Sequence, residues 1–185
     1  MKKLVYSLFL FFIFFGCEKS NIIESNQLKG QYILQDVSCY CMFDNYKFID
    51  NQLWFFPNEN ILLSKGIDGN EVSISSLNKP EKYTLDDNIL TLSSNNKKFT
   101  VEIKDDTLIL NYIDIPEIAD DEITYYFKKG NSDIDCVNPK NISSEIACTK
   151  EYQPVFGCDG YTYSNACVAL RYGGVNTYSN GSCLN

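Results

Sequence analysis

Hydrophobic and polar residues alternate along much of the chain between residues 28 and 130. Phe99, Val101 and Ile103 fall on one face of a strand, as do Leu108, Leu110 and Tyr112, because successive side chains of a strand point to opposite faces. Runs of this kind predict strands at 31–37, 52–56, 61–64, 72–75, 82–85, 89–92, 98–103, 107–112 and 123–128. They are rich in aromatic and β-branched residues, and turn residues recur between them at short intervals. The acidic clusters Asp86-Asp87-Asn88, Asp105-Asp106 and Asp120-Asp121 fall in turn-like contexts, where such residues are normally solvated. No segment carries a long helical period. The chain is therefore expected to be mainly β, with an N-terminal antiparallel meander over 28–130 that closes as a barrel or a sandwich. About a hundred residues are enough for such a unit to have its own core. Trp54 with Phe55 and Phe56 is expected to belong to that core rather than to a ligand cage.

The first residues follow a different pattern. Lys2 and Lys3 precede an apolar run over 4–15, which Gly16 and Cys17 end. A charged start, a short apolar stretch and a small residue before the cut describe an export leader. The run is shorter than the ~20 residues of a spanning helix. The cysteine directly after Gly16 resembles a bacterial lipoprotein signal. That resemblance implies a leader over 1–17, lipid on Cys17, and a protein held on a membrane of the bacterial cell envelope. Residues 18–27, mostly polar, read as a tether.

Composition narrows the chemistry. The chain has no histidine, which removes every Ser-His, Cys-His and His-metal arrangement. Its net charge of −8 opposes nucleic acid as a partner. No phosphate-cradling loop and no dinucleotide fingerprint is present. Cys39 and Cys41 alone supply too few ligands for a metal site. These observations point to no cofactor, no metal and no enzymatic activity. The 8 cysteines suit an oxidising compartment. Setting Cys17 aside leaves an odd number, so at least one thiol is free or pairs elsewhere.

The cysteines concentrate beyond a polar junction at 130–135, over 136–185. Asp159-Gly160 signals a two-residue hairpin turn, with Val155 running into it and Tyr163 out of it. Ser164 or Asn165 can cap a short helix over 166–172, which Gly173 ends. So small a unit needs covalent staples. The run C-T-K-E-Y-x-P-V-x-G-x-D-G-x-T-Y-x-N-x-C from Cys148 to Cys167 resembles the Kazal-type serine protease inhibitors, and the resemblance covers 136–183. It implies a small disulfide-rich domain with a hairpin and one short helix. It also implies a reactive bond at Lys150-Glu151, with Lys150 entering the acidic pocket of a trypsin-like protease. Asn165 falls on the family's spacer position across the reactive loop. Thr149, Tyr152 and Tyr163 fall on its loop-supporting positions.

The cysteine pattern departs from that family. Cys136, Cys148, Cys167 and Cys183 match its first, second, fourth and sixth cysteines. Phe156 stands at the third, the fifth would fall near Leu170, and Cys158 is additional. The resemblance implies a Cys148–Cys167 bond. Cys158 is left with two choices, Cys136 or Cys183. Cys39 and Cys41 form a thiol pair or bridge to the second unit.

Three functions follow as expectations. The first is a lipid-anchored inhibitor of trypsin-like serine proteases. The second is a non-inhibitory Kazal-like binding or spacer module. The third is a small-ligand carrier, since the meander is loosely similar to lipocalin-like domains and a barrel of about eight strands can hold one small ligand.

Overall fold

The computed structural model describes residues 22–38, 51–66, 74–113, 123–143 and 145–182. Cys17, Cys39, Cys41 and Cys183 lie outside the described residues, and so do the expected leader and lipid site.

The meander closes as a barrel. Its strands are β1 (Gly30–Ser38), β2 (Gln52–Phe56), β3 (Ile61–Lys65), β4 (Pro80–Asp86), β5 (Ile89–Leu92), β6 (Lys98–Lys104), β7 (Thr107–Ile113) and β8 (Thr124–Lys129). Each pairs antiparallel with the next, and β1 pairs with both β2 and β8. Closure leaves the described strands of the barrel without a free edge for pairing with another chain. The β4–β5 connection is the two-residue loop Asp87-Asn88, both with positive φ, as a tight hairpin turn requires. The expected tether does not end free of the barrel. Ser25–Leu28 form a 3-10 turn with Leu28 buried, and the Ile23 amide donates to Asn88 Oδ1 at 2.6 Å.

The strand expected at 72–75 is corrected in its described part. Ile74 and Ser75 lie in a bend, and β4 begins only at Pro80. Ile74 is 1% exposed, so its place in the alternation records burial in the core and not strand pairing. Leu77 makes a single parallel bridge to Ser64 of β3.

The barrel interior is filled by its own side chains. Leu28, Tyr32, Leu34, Phe55, Tyr83, Phe99, Leu110 and Phe127 belong to one continuous buried cluster. Phe55 meets both Tyr32 and Tyr83 edge to face, at centroid separations of 5.8 and 5.6 Å. Phe55 is core, as expected; Trp54 and Phe56, expected with it, are corrected, since they face out of the barrel and belong to a second buried cluster.

Beyond β8 the chain builds a three-stranded sheet in the order β10-β9-β11, from β9 (Val155–Gly157), β10 (Thr162–Tyr163) and β11 (Tyr178–Asn180), with the helix α1 (Ala166–Arg171) packed on it. The segment after Cys136 contains a 3-10 turn at Pro139–Asn141. The hairpin turn is also corrected. Gly157 bonds Tyr161 and also accepts from the Gly160 amide, so the loop is three residues, Cys158 to Gly160. Of these only Gly160 has positive φ, at 89°. A three-residue loop needs a left-handed residue only at its last position. That leaves the Asp159 side chain free to turn inward.

The two parts share a buried face. On β2 and β3, Leu53, Phe55 and Leu62 point into the barrel, whereas Trp54, Phe56 and Leu63 point out of it. The outward set packs against Cys136, Val137, Ile134 and Ile142. Every residue of β3 is consequently buried. Polar contacts continue the face: Gln52 Nε2 donates to the Asp159 carbonyl at 2.9 Å, and Gln52 Oε1 accepts from Trp54 Nε1 and Gln31 Nε2. The junction expected at 130–135 is pinned as well, since the Gly130 amide donates to the Gln31 carbonyl and Ser132 Oγ to that of Cys158.

Candidate functional site

The stretch Thr149, Lys150, Glu151, Tyr152 and Gln153 is exposed. It follows Cys148, which is bonded to Cys167 in the first turn of α1. The disulfide ties the start of the stretch to the helix. The Gln153 amide donates to the Ser164 carbonyl at 2.9 Å and ties down its end.

Asn165 governs the middle. Its side chain is aimed into the loop from the position that caps α1, and the residue is 7% exposed. Nδ2 donates to the Thr149 carbonyl at 3.0 Å and to the Glu151 carbonyl at 2.9 Å. Oδ1 accepts from the Val168 amide at 3.0 Å. An amide side chain has two donor hydrogens and one acceptor oxygen. All three sites are used here, and the two donor bonds fall on either side of Lys150. A loop held at four successive points loses little entropy when a partner grips it. Glu151 adds a surface contact, accepting from Gln153 Nε2 at 2.7 Å.

The residues singled out from sequence divide into two groups. Thr149, Lys150, Glu151, Cys148, Cys167 and Asn165 come together at this loop. Tyr152 is 73% exposed, so its ring is presented to solvent beside Lys150 and does not brace the loop. Tyr163 lies elsewhere, because its hydroxyl points away from the loop to Asp159. Of the two choices left to Cys158, the bond is to Cys136. Phe156, where the family carries a cysteine, sits half-buried on β9 opposite Ser179 of β11.

A cluster that sequence reasoning missed lies under the hairpin. Lys65 of β3 forms an ion pair with Asp159, with side chains 2% and 0% exposed. The Lys65 ammonium also donates to the Tyr163 hydroxyl at 3.0 Å and to the Gly173 carbonyl at 2.9 Å. Tyr163 in turn donates to Asp159 Oδ2 at 2.6 Å. Three ammonium hydrogens meet three acceptors, which is what a buried lysine needs. Burial pulls the Lys65 pKa below its ordinary value, and the Asp159 carboxylate opposes that shift. Burial and then the Asp159 charge push the Tyr163 phenol well above its ordinary range. The available signal was the run Ile61-Leu62-Leu63 just before Ser64-Lys65, apolar at three successive positions and not alternating. A strand of that pattern is covered on both faces.

Residues 136–172 match the family of the Kazal-type serine protease inhibitor domain. A double-headed protease inhibitor of the submandibular gland from Canis lupus familiaris is 47% identical over 36 residues, 20% of this chain and 31% of that protein. Its counterpart from Mustela lutreola is 44% identical over 39 residues, 21% of this chain and 32% of that protein. The chain thus spans about a third of the length of these relatives, and the barrel lies outside the matched region. Residues 136–172, with their hairpin, short helix, Cys148–Cys167 bond and asparagine-braced loop, are a Kazal-type domain, in which Cys136 pairs with the additional Cys158.

Proposed function

We propose that this protein is an exported inhibitor of trypsin-like serine proteases, with Lys150-Glu151 as its reactive bond. The observation that carries this reading is the grip of Asn165 on the carbonyls flanking Lys150. An exposed loop fixed in this way offers a protease a substrate whose ordering cost is already met. Lysine at the exposed centre of the loop suits a pocket with an acidic base. Attack on the Lys150 carbonyl opens the peptide bond, but neither new end can leave. The Cys148–Cys167 bond keeps one end, and the Gln153–Ser164 backbone bond keeps the other. Resynthesis of the bond therefore competes with release. The relatives named above are protease inhibitors, which supports the same reading.

The proposal extends to location. Gly16-Cys17 at the end of the short apolar run supports lipidation at Cys17 and retention on a bacterial membrane. A diacylated, N-acylated cysteine anchors firmly where a single chain does not. Mass spectrometry of the mature N-terminus tests this; an unmodified Cys17 thiol overturns it.

Phe156 in a cysteine's place favours one alternative, a binding module that does not inhibit. Incubation with trypsin separates the two, since an inhibitor yields a persistent complex containing intact and Lys150-cleaved chains. A non-inhibitory module yields no complex.

A further inference from the structure

We infer that Lys65, on the barrel, is a positioning residue for the reactive loop of the Kazal-type domain. The inference rests on the reading of Lys150-Glu151 as the reactive bond, and it concerns what keeps that bond in place.

The three hydrogens of the Lys65 ammonium go to three different pieces of the domain. Asp159 belongs to the hairpin turn, Tyr163 to β10 and Gly173 to the chain just past α1. Asn165, which holds the loop, lies between the last two. A helix of 6 residues has little stability of its own, so its orientation comes from its ends. At its start, Asn165 and the Cys148–Cys167 bond fix it to the loop. The Cys136–Cys158 bond reaches the hairpin and not the far end of the helix. There the side-chain fastening from the barrel is Lys65 to the Gly173 carbonyl, beside backbone bonds from the Ser143 amide to Arg171, the Asn138 amide to Gly174 and the Val175 amide to Ala169.

The cluster has no room to slacken. A Cβ on Gly173 would stand 2.5 Å from the Tyr163 hydroxyl, so the helix end and β10 are already in contact. Both members of the ion pair are buried, and removing one leaves the other as an unpaired buried charge. Loss of Lys65 thus loosens the hairpin, β10 and the helix end together, leaving the Gln52 bond to the Asp159 carbonyl and the backbone bonds from Ser143 and Asn138 to hold them. The helix then pivots on its first turn, and the two Asn165 bonds to the loop carbonyls lengthen. Lys150 itself is untouched, so the first encounter with a protease is preserved while the lifetime of the loop is not. The barrel acts in this account as a fixed plate that sets the shape of the inhibitor.

The test uses the full-length mature chain. Hydrogen–deuterium exchange is followed at the Gln153 amide, which Ser164 holds, at the Val168 amide, which Asn165 holds, and over β6–β7, without protease, for wild type, Lys65→Met and Tyr163→Phe. Trypsin cleavage at Lys150-Glu151 is timed in parallel. For Lys65→Met, exchange at Gln153 and Val168 and cleavage should each accelerate at least tenfold, with β6–β7 unchanged. Tyr163→Phe removes only one hydroxyl and should shift both in the same direction by less. Unchanged exchange at Gln153 and Val168 in Lys65→Met, to within twofold, overturns the inference. If Lys65→Met also opens β6–β7, Tyr163→Phe decides, and an unchanged loop there overturns it. If exchange responds as expected but wild type never inhibits, the positioning role stands and the inhibitor reading falls.

Discussion

Asn165 Nδ2 and the Glu151 carbonyl lie 2.9 Å apart, one residue beyond Lys150, while the same nitrogen reaches the Thr149 carbonyl on the other side. One side chain therefore braces the loop and, through Oδ1, caps the helix. Two substitutions separate these duties. Asn165→Asp keeps the cap acceptor but loses both donors, so the domain stays folded and Lys150-Glu151 is hydrolysed faster. Asn165→Ala loses the cap as well, at a further cost of about 1 kcal/mol. Timed digestion beside thermal melts checks the pair. Equal melting losses in both variants would contradict the division.

Lys150 is exposed, so changing it should leave the fold alone. Lys150→Ala should abolish inhibition of trypsin-like enzymes, because one buried anchor can carry most of a protease contact. Lys150→Leu should transfer inhibition to proteases with apolar pockets. Inhibition constants against one protease of each kind check both outcomes.

Trp54 lies fully buried on the outside of the barrel, against Cys136 and Val137. Trp54→Ala should cost about 3–5 kcal/mol. With so much of the shared face apolar, barrel and Kazal-type domain should unfold in a single calorimetric transition. Two well-separated transitions in the wild type would show the face to be weaker than its burial implies.

High pH should unfold the protein. Burial pushes the phenols of Tyr32, Tyr83 and Tyr125 up to about 12, and Tyr163 is raised as well. Below pH 10 these phenols are neutral in both states and contribute no slope. Above it the unfolded chain releases protons that the native state retains, so stability falls as pH rises. Each phenol contributes up to ~1.4 kcal/mol per pH unit. The lowered pKa values of Lys65 and Lys129 act in the opposite sense but are two groups against four. Denaturant titrations at pH 9 and pH 11 check the sign, and equal midpoints would contradict it.

Much of the fold was legible because burial on one face writes alternation into a strand. β6 and β7 show this at Phe99, Val101, Leu108 and Leu110, whose side chains fill the barrel. The loop was legible for another reason. Cysteine spacing, Lys150 and Asn165 form a local pattern, and the parts that touch lie within a short stretch of chain. The Lys65 cluster was not legible, since its partners lie 94 to 108 residues away. The apolar run before Lys65 marks a strand covered on both faces, but nothing local names the groups that meet its ammonium. β11 was missed because its three residues are all exposed and leave no apolar signature. The strand expected at 72–75 failed for the converse reason: a bend can bury one isoleucine as deeply as a strand can.

The most direct test is a titration of trypsin of known active-site concentration with the purified mature protein. The reading of Lys150-Glu151 as a braced reactive bond predicts a stoichiometric endpoint of one protease per chain. The complex should persist for hours, and any slow cleavage should fall only between Lys150 and Glu151. Undiminished trypsin activity at excess protein, with the loop left whole or cut rapidly to completion, would contradict it.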